Sequence, residues 1–261
     1  MKKRMKKRLK VRYLLLAALM ALAVLGGCAA SSQKGTLKVG VRDDIMGFGY
    51  LNPTTGEYYG LEIDLARKLA DDLGYGQVEF VTVTPENRKS MLMEGNVDCL
   101  IASYSIEETR LENFDFSPPY FADHTSIMVE KSSLIEGIED LVGKKTGVLD
   151  GANTAPKLSS KMIELGLISE HDLKGSSLEK RDTYSELSLA LEEGDVDAVC
   201  MDGGVARAYL DEDRRILDDV VGTENYGVAT VKGSALSGPV AASVTRMLDD
   251  GTIAALIDKW D

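Results

Sequence analysis

Cysteine and histidine are scarce in this chain of 261 residues, which holds three of the first and two of the second. Neither Cys99 nor Cys200 belongs to a CxxC pair, and His124 and His171 stand apart from both. The ligand spacing of a structural zinc site is therefore missing, and no metal or other cofactor is expected. Each of these cysteines sits inside an apolar run and reads as a buried thiol, with nothing in the spacing to argue for a disulfide. Long apolar runs are lacking too. Residues 13–25 are unbroken apolar sequence, but that is about half of the ~20 residues a helix needs to cross a bilayer. Positive charge is short as well: 30 Lys and Arg face 42 Asp and Glu, for a net charge of −12. A surface of that sign repels phosphate backbones, which makes nucleic acid a poor partner.

What basic charge there is crowds the N-terminus. Residues 1–12 carry eight Lys or Arg and no acid, directly before the apolar run. A basic segment followed by a short apolar one is the pattern of a secretory signal peptide. The run closes in Leu25-Gly26-Gly27-Cys28, which resembles the bacterial lipobox. That resemblance implies cleavage after Gly27, a diacylglycerol on Cys28 and extracytoplasmic anchoring to the cell membrane. Residues 28–35 then read as a flexible tether. Losing residues 1–27 would lower the net charge by a further eight, from −12 to −20.

Beyond residue 36 short apolar runs alternate with amphipathic helical patterns, as in an α/β fold with largely parallel strands. "LKVGV" (37–41) and "VEFVTV" (78–83) read as strands. Between them Ile63, Ala66, Ala70 and Leu73 fall on one helical face, and Gly74 supplies the stop. Thr84-Pro85 reads as the start of a helix that Gly95 closes. One phrase is written twice: "EGNVDCLIAS" ends at Ser103, and "EGDVDAVCMD" ends 99 residues later at Asp202. A second echo, Gly147-Val148 on Gly40-Val41, precedes it in the same order. The repetition predicts two similar lobes, with the segment from Tyr226 crossing back to finish the first.

"GLEIDLARKLADDLG", "NRKSMLMEGNVDCLIASYSIEETRLENFDFSPPYF", "LVGKKTGVLDGANT", "EEGDVDAVCMD", "YGVATVK" and "DDGTIAALIDKW" together resemble the polar-amino-acid binding proteins of ABC importers, across nearly all of residues 36–261. The resemblance implies a two-lobed type II periplasmic binding fold joined by two hinge strands. One lobe is expected from 36–124 and 226–261, the other from 125–225. It also implies a monomer that closes on one free amino acid and docks on a membrane permease served by an ATPase.

A free amino acid presents a carboxylate and an ammonium on one carbon, and burying either unpaired is costly. By the resemblance, Arg110 forks onto the α-carboxylate, Ser103 and Ser105 add backbone and hydroxyl contacts, and Asn153 adds an amide. Asp202 is implied as the partner of the α-ammonium. Arg42, at the end of the first strand, faces the crevice and matches a position that is cationic in glutamate and aspartate binders. Arg88 matches a second such cation, and Ile45 stands where glutamine binders often place a ring. The expected ligand is therefore glutamate or aspartate, with glutamine or another polar amino acid as the alternative. Glu107 and Glu108 depart from the family pattern, which has Thr and Pro there. They are expected to face water and complement a helix N-terminus.

An enzyme on the same scaffold, dehydrating cyclohexadienyl acids, would need Glu107 or Glu193 as general acid, and neither has an evident His or Lys partner. Binding without catalysis is expected. A sensor role is expected to need a transmembrane segment and a signalling domain, and neither is expected after Trp260.

Overall fold

The computed structural model describes residues 34–169 and 177–260. The strands are β1 (Lys34–Val41), β2 (Asp44–Ile45), β3 (Gly49–Leu51), β4 (Tyr58–Tyr59), β5 (Tyr75–Thr82), β6 (Cys99–Leu100), β7 (Phe114–Phe116), β8 (Phe121–Glu130), β9 (Lys145–Leu149), β10 (Ser177–Arg181), β11 (Ala198–Asp202), β12 (Arg214–Ile216), β13 (Gly222–Tyr226) and β14 (Ala229–Val231). The helices named below are α1 (Leu61–Asp72), α2 (Arg88–Met93), α3 (Glu108–Leu111), α4 (Thr154–Glu164), α5 (Tyr184–Glu192), α6 (Gly203–Ala208), α7 (Ser237–Asp249) and α8 (Thr252–Trp260).

The repeated phrase folds the same way both times. Gly95 and Gly194 take φ of 73° and 74°, a left-handed conformation that glycine adopts without steric cost, and so end α2 and α5. The valine that follows meets a strand glycine in each copy. A Cβ on Gly40 would lie 3.4 Å from Val97 Cγ2, and one on Gly147 would lie 3.5 Å from Val196 Cγ2. The aspartate after it clamps the start of a neighbouring strand. Asp98 Oδ2 accepts from Lys38 N at 2.8 Å, and Asp197 Oδ2 accepts from Lys145 N at 2.8 Å. In return Asp98 N donates to Lys38 O and Asp197 N to Lys145 O, both at 2.8 Å. Five residues thus encode helix stop, packing contact and strand register in both halves.

Two large sheets result, ordered β5-β1-β6-β14-β7 and β10-β9-β11-β8-β12, with β13 also on β8. Each is mixed rather than largely parallel. β1 runs parallel to β6, and β9 parallel to both β10 and β11. β14 is antiparallel to β6 and β7, and β8 is antiparallel to β11, β12 and β13. The cause is the path between the sheets. The chain enters the second sheet along β8 and leaves along β13, which pair antiparallel from Phe121↔Tyr226 to Thr125↔Gly222. It then returns to the first sheet as β14. Strands of the first sheet therefore come from 34–116 and 229–231, and strands of the second from 121–226.

Helix α1 buries Ile63, Leu65, Ala66, Leu69 and Ala70 at 1% exposure or less, and its pattern continues into α7 and α8 through Val240, Val244, Ile253 and Leu256. Cys99 and Cys200 are free, buried and in different core clusters. Burial pushes the Cys99 thiol up to about 12 and raises Cys200 as well, so both act as small apolar side chains.

The helix expected from Thr84-Pro85 starts later, at Arg88. Thr84 N donates to Asn87 Oδ1 (2.9 Å) while Asn87 N donates to Thr84 Oγ1 (3.3 Å), so residues 84–87 close as a separate turn. Likewise "VDCLIAS" pairs as a strand only at Cys99–Leu100, and the chain turns sharply at Ser103. The signal segment 1–27, Cys28 and the tether up to residue 33 lie outside the described residues.

Candidate functional site

Ser103 is the one non-glycine among the described residues in the left-handed region, with φ of 46°. Such strain persists only where surrounding groups enforce it. Here the enforcing group is Glu62, fully buried at the start of α1. Its Oε1 accepts from Ser103 N (2.6 Å), Ser103 Oγ (3.1 Å) and Tyr120 Oη (2.6 Å). Burial raises the Glu62 carboxyl, and the bonds from Tyr120 and Ser103 offset part of that rise.

The turn aims its carbonyls at Arg88, whose Nη1 donates to Ala102 O (3.0 Å) and Ser103 O (3.4 Å). Arg88 is 4% exposed, and its Nε has no partner. Burial, reinforced by the charges of Arg110 and Arg42, pulls its guanidinium down to about 10. Arg110 Nη1 donates to Ser105 O at 2.7 Å. Arg42, 3% exposed, is held by Asp44 at 2.7 Å, with its guanidinium 5.5 Å from the centre of the Tyr184 ring.

Across the crevice β11 delivers Asp202, 6% exposed. Its Oδ2 accepts from Tyr226 Oη (2.7 Å) and, at the long limit, from Tyr184 Oη (3.5 Å), while Oδ1 is buried without a partner. Burial, with the nearby Glu224 charge, pushes Asp202 up to about 7, and the Arg88 charge works the other way.

A third group gathers at the start of α4. Asn153 Nδ2 donates to Glu107 Oε1 (2.9 Å) and to both oxygens of Glu224 (3.2 and 3.3 Å). Lys157, one turn along the same face, pairs with Glu107 and Glu224 at 2.8 Å each. Burial alone would raise Glu224, but bonds from Lys157, Ser105 and Asn153 and the Lys157 charge hold it below its ordinary value. Thr154, 1% exposed, keeps an unpartnered Oγ1 at the same helix N-terminus. Glu108 faces water, as expected of both acids, whereas Glu107 reaches across to the second sheet's helix. Glu193 is exposed at the end of α5.

The seven residues singled out from sequence fall into three groups: Arg88, Ser103, Ser105 and Arg110 around one turn, Arg42 and Asp202 each against Tyr184, and Asn153 at the start of α4. Two cavities open beside them. One of about 610 Å³ is lined by Arg110, Asn153 and Lys157, and one of about 340 Å³ by Arg88, Tyr104, Arg110 and Gly151. Sequence reasoning missed Glu62, Thr154, Lys157, Tyr184, Glu224 and Tyr226. Lys157 was findable four residues after Asn153, since that spacing shares a helix face. An acidic trio, Glu86, Asp150 and Asp182, comes within metal-ligand distance among the described residues, but Lys180 already pairs with Asp150 at 2.6 Å.

Residues 37–261 match the bacterial extracellular solute-binding proteins, family 3. The chain belongs to that family. A glutamine-binding protein of an ABC transporter in Bacillus subtilis is 30% identical, over 96% of this chain and 97% of that one. A glutamate-binding protein of Corynebacterium glutamicum is 29% identical, over 89% of this chain and 81% of its own length. Among solved structures, an ancestral arginine-binding protein bound to glutamine superposes with a TM-score of 0.77 at 33% identity, covering 87% of this chain and 98% of that one. The two-lobed α/β fold of the family is the fold described above.

Proposed function

We propose that this protein is the extracytoplasmic substrate-binding lipoprotein of an ABC importer, anchored through Cys28, which captures a free acidic amino acid by lobe closure and presents it to a permease and its ATPase. The lobes that close are 36–124 with 226–261, and 125–225. The carrying observation is the pairing of charge in the crevice. Arg88 and Arg110 make no ion pair with any described carboxylate, whereas Arg42, whose charge acts on Arg88, is paired with Asp44. Opposite them stands Asp202 with a free oxygen. An α-amino acid supplies an ammonium for Asp202 and an α-carboxylate for Arg110 and the unpartnered Thr154 Oγ1, with Ser103, Ser105 and Asn153 exchanging their present carboxylate partners Glu62, Glu107 and Glu224 for the ligand. A second carboxylate then answers Arg88, which favours glutamate or aspartate. Arg42 takes a smaller part than its position in sequence implied, because Asp44 already neutralises it.

That neutralised Arg42, together with the glutamine-binding relative, supports glutamine as the second reading. Contrary to the expectation from sequence, Glu107 does have a lysine partner, Lys157 at 2.8 Å, but it shares that contact with Asn153 as a bridge to α4, and Glu193 faces water, so neither candidate acid gives catalysis specific support. A thermal-shift screen of the twenty amino acids tests the proposal. Glutamate and aspartate should raise the melting temperature most, since a ligand at 100 times its dissociation constant adds about 2.7 kcal/mol. No shift with any amino acid, alongside turnover of arogenate or prephenate, would overturn it.

A further inference from the structure

Both unpaired guanidiniums stand against one aromatic ring. The Arg88 guanidinium carbon is 4.4 Å from the centre of the Tyr104 ring, and that of Arg110 is 4.2 Å from the same point. Both distances are well inside the ~6 Å reach of a cation–π contact. The ring is fixed in its turn: it is 3% exposed, with Phe116 at 5.5 Å and Phe114 at 6.0 Å between centres. Its backbone is fixed as well, since Tyr104 O accepts from Gly227 N at 3.2 Å. Arg88, Tyr104 and Arg110 line one cavity of about 340 Å³, and Gly151 from the other sheet borders it.

We infer that Tyr104 is a specificity-determining residue, whose ring holds Arg88 and Arg110 as two anion-binding forks at a set spacing and so favours a ligand with two carboxylates over its amide counterpart. The inference rests on the amino-acid reading of the site. Two like charges that share no acid repel each other, and each is drawn to the π-face of the ring. The hydrogen bonds of the Arg88 fork among the described residues go to the Ala102 and Ser103 carbonyls, and the ring is the further contact that sets its orientation. Arg110 keeps its bond to Ser105 O, so the α-carboxylate contact survives the loss. The penalty therefore falls on the second carboxylate, and hence on glutamate more than on glutamine.

The test is calorimetric titration of the unsubstituted protein, Tyr104→Phe and Tyr104→Leu with L-glutamate and L-glutamine. The unsubstituted protein should prefer glutamate. Tyr104→Phe keeps the ring face and should keep the preference, while Tyr104→Leu should reduce it about tenfold, the scale of a desolvated cation–π contact. Equal weakening toward both ligands in Tyr104→Leu would mean a merely structural role and would overturn the inference. Should Tyr104→Leu fail to fold, side-chain NMR of the unsubstituted protein decides. The Arg88 and Arg110 guanidinium resonances should stay shifted upfield by the ring when glutamate saturates the protein, and loss of that shift on binding contradicts the inference. If the unsubstituted protein binds neither ligand, the amino-acid reading of the site falls, and the role of Tyr104 with it.

Discussion

Burial and the Glu224 charge lift the Asp202 carboxyl to about 7, so the free protein near neutrality holds this group partly protonated. An ammonium bound against it favours the ionised form, so the complex has the lower pKa. The sign follows: affinity is full above pH 7 and falls as the pH drops below it, by about tenfold per unit, until the complex itself begins to protonate. Titration calorimetry between pH 5 and 8 checks this, with proton release expected on binding at pH 6. Asp202→Asn should weaken binding about 10- to 100-fold, as expected for a hydrogen bond to a charged group, and should flatten the pH profile. The residues of this site were legible in sequence where they repeat a pattern. Ser103 and Asp202 end two copies of one phrase, and Arg110 follows at a recognisable spacing. Glu62 and Tyr226 were not legible, because each acts from a segment far along the chain: Glu62 on Ser103 and Tyr120, Tyr226 on Asp202.

Gly60, immediately before α1, takes φ of 128°, and a Cβ there would stand 2.0 Å from the Phe48 carbonyl oxygen. That neighbour is backbone and cannot swing away. Gly60→Ala should therefore destabilise the fold by about 3 kcal/mol and disturb the placement of Glu62 beneath Ser103. Gly238 offers the contrast. It lies within α7 with nothing inside 4 Å of a built Cβ and no positive φ. Gly238→Ala should stabilise by up to about 1 kcal/mol. Thermal melts of the two variants should move in opposite directions. Elements were readable where hydrophobic period and stop signals agree, as in α1, with its buried Ile63, Ala66 and Ala70 and Gly74 beyond its end. The mixed sheets were not, since periodicity marks a buried strand without saying which way its neighbour runs. Only the crossing of β8 and β13 sets that direction.

At the scale of the whole molecule, the departure at Glu107 links the first half of the chain to α4. Its carboxylate meets Lys157 and Asn153 of α4, and Lys157 in turn meets Glu224 on the crossing strand β13. Glu107 and Lys157 are partly exposed, at 32% and 20% for their side chains, so their pair is worth no more than about 1 kcal/mol. Glu107→Gln should then shift the free protein toward the open form, seen as a larger radius of gyration by X-ray scattering, and lower affinity by a few-fold. Raising salt should weaken binding by the original protein more than by the variant. An unchanged radius and affinity would mean that the pair contributes nothing to closure. The central claim is that Arg88, Arg110 and Asp202 together receive one acidic amino acid. Calorimetric titration of the unsubstituted protein with L-glutamate tests it most directly. One site per chain is expected, with glutamate bound more tightly than glutamine; an absence of binding heat with glutamate, aspartate and glutamine alike would contradict that assignment.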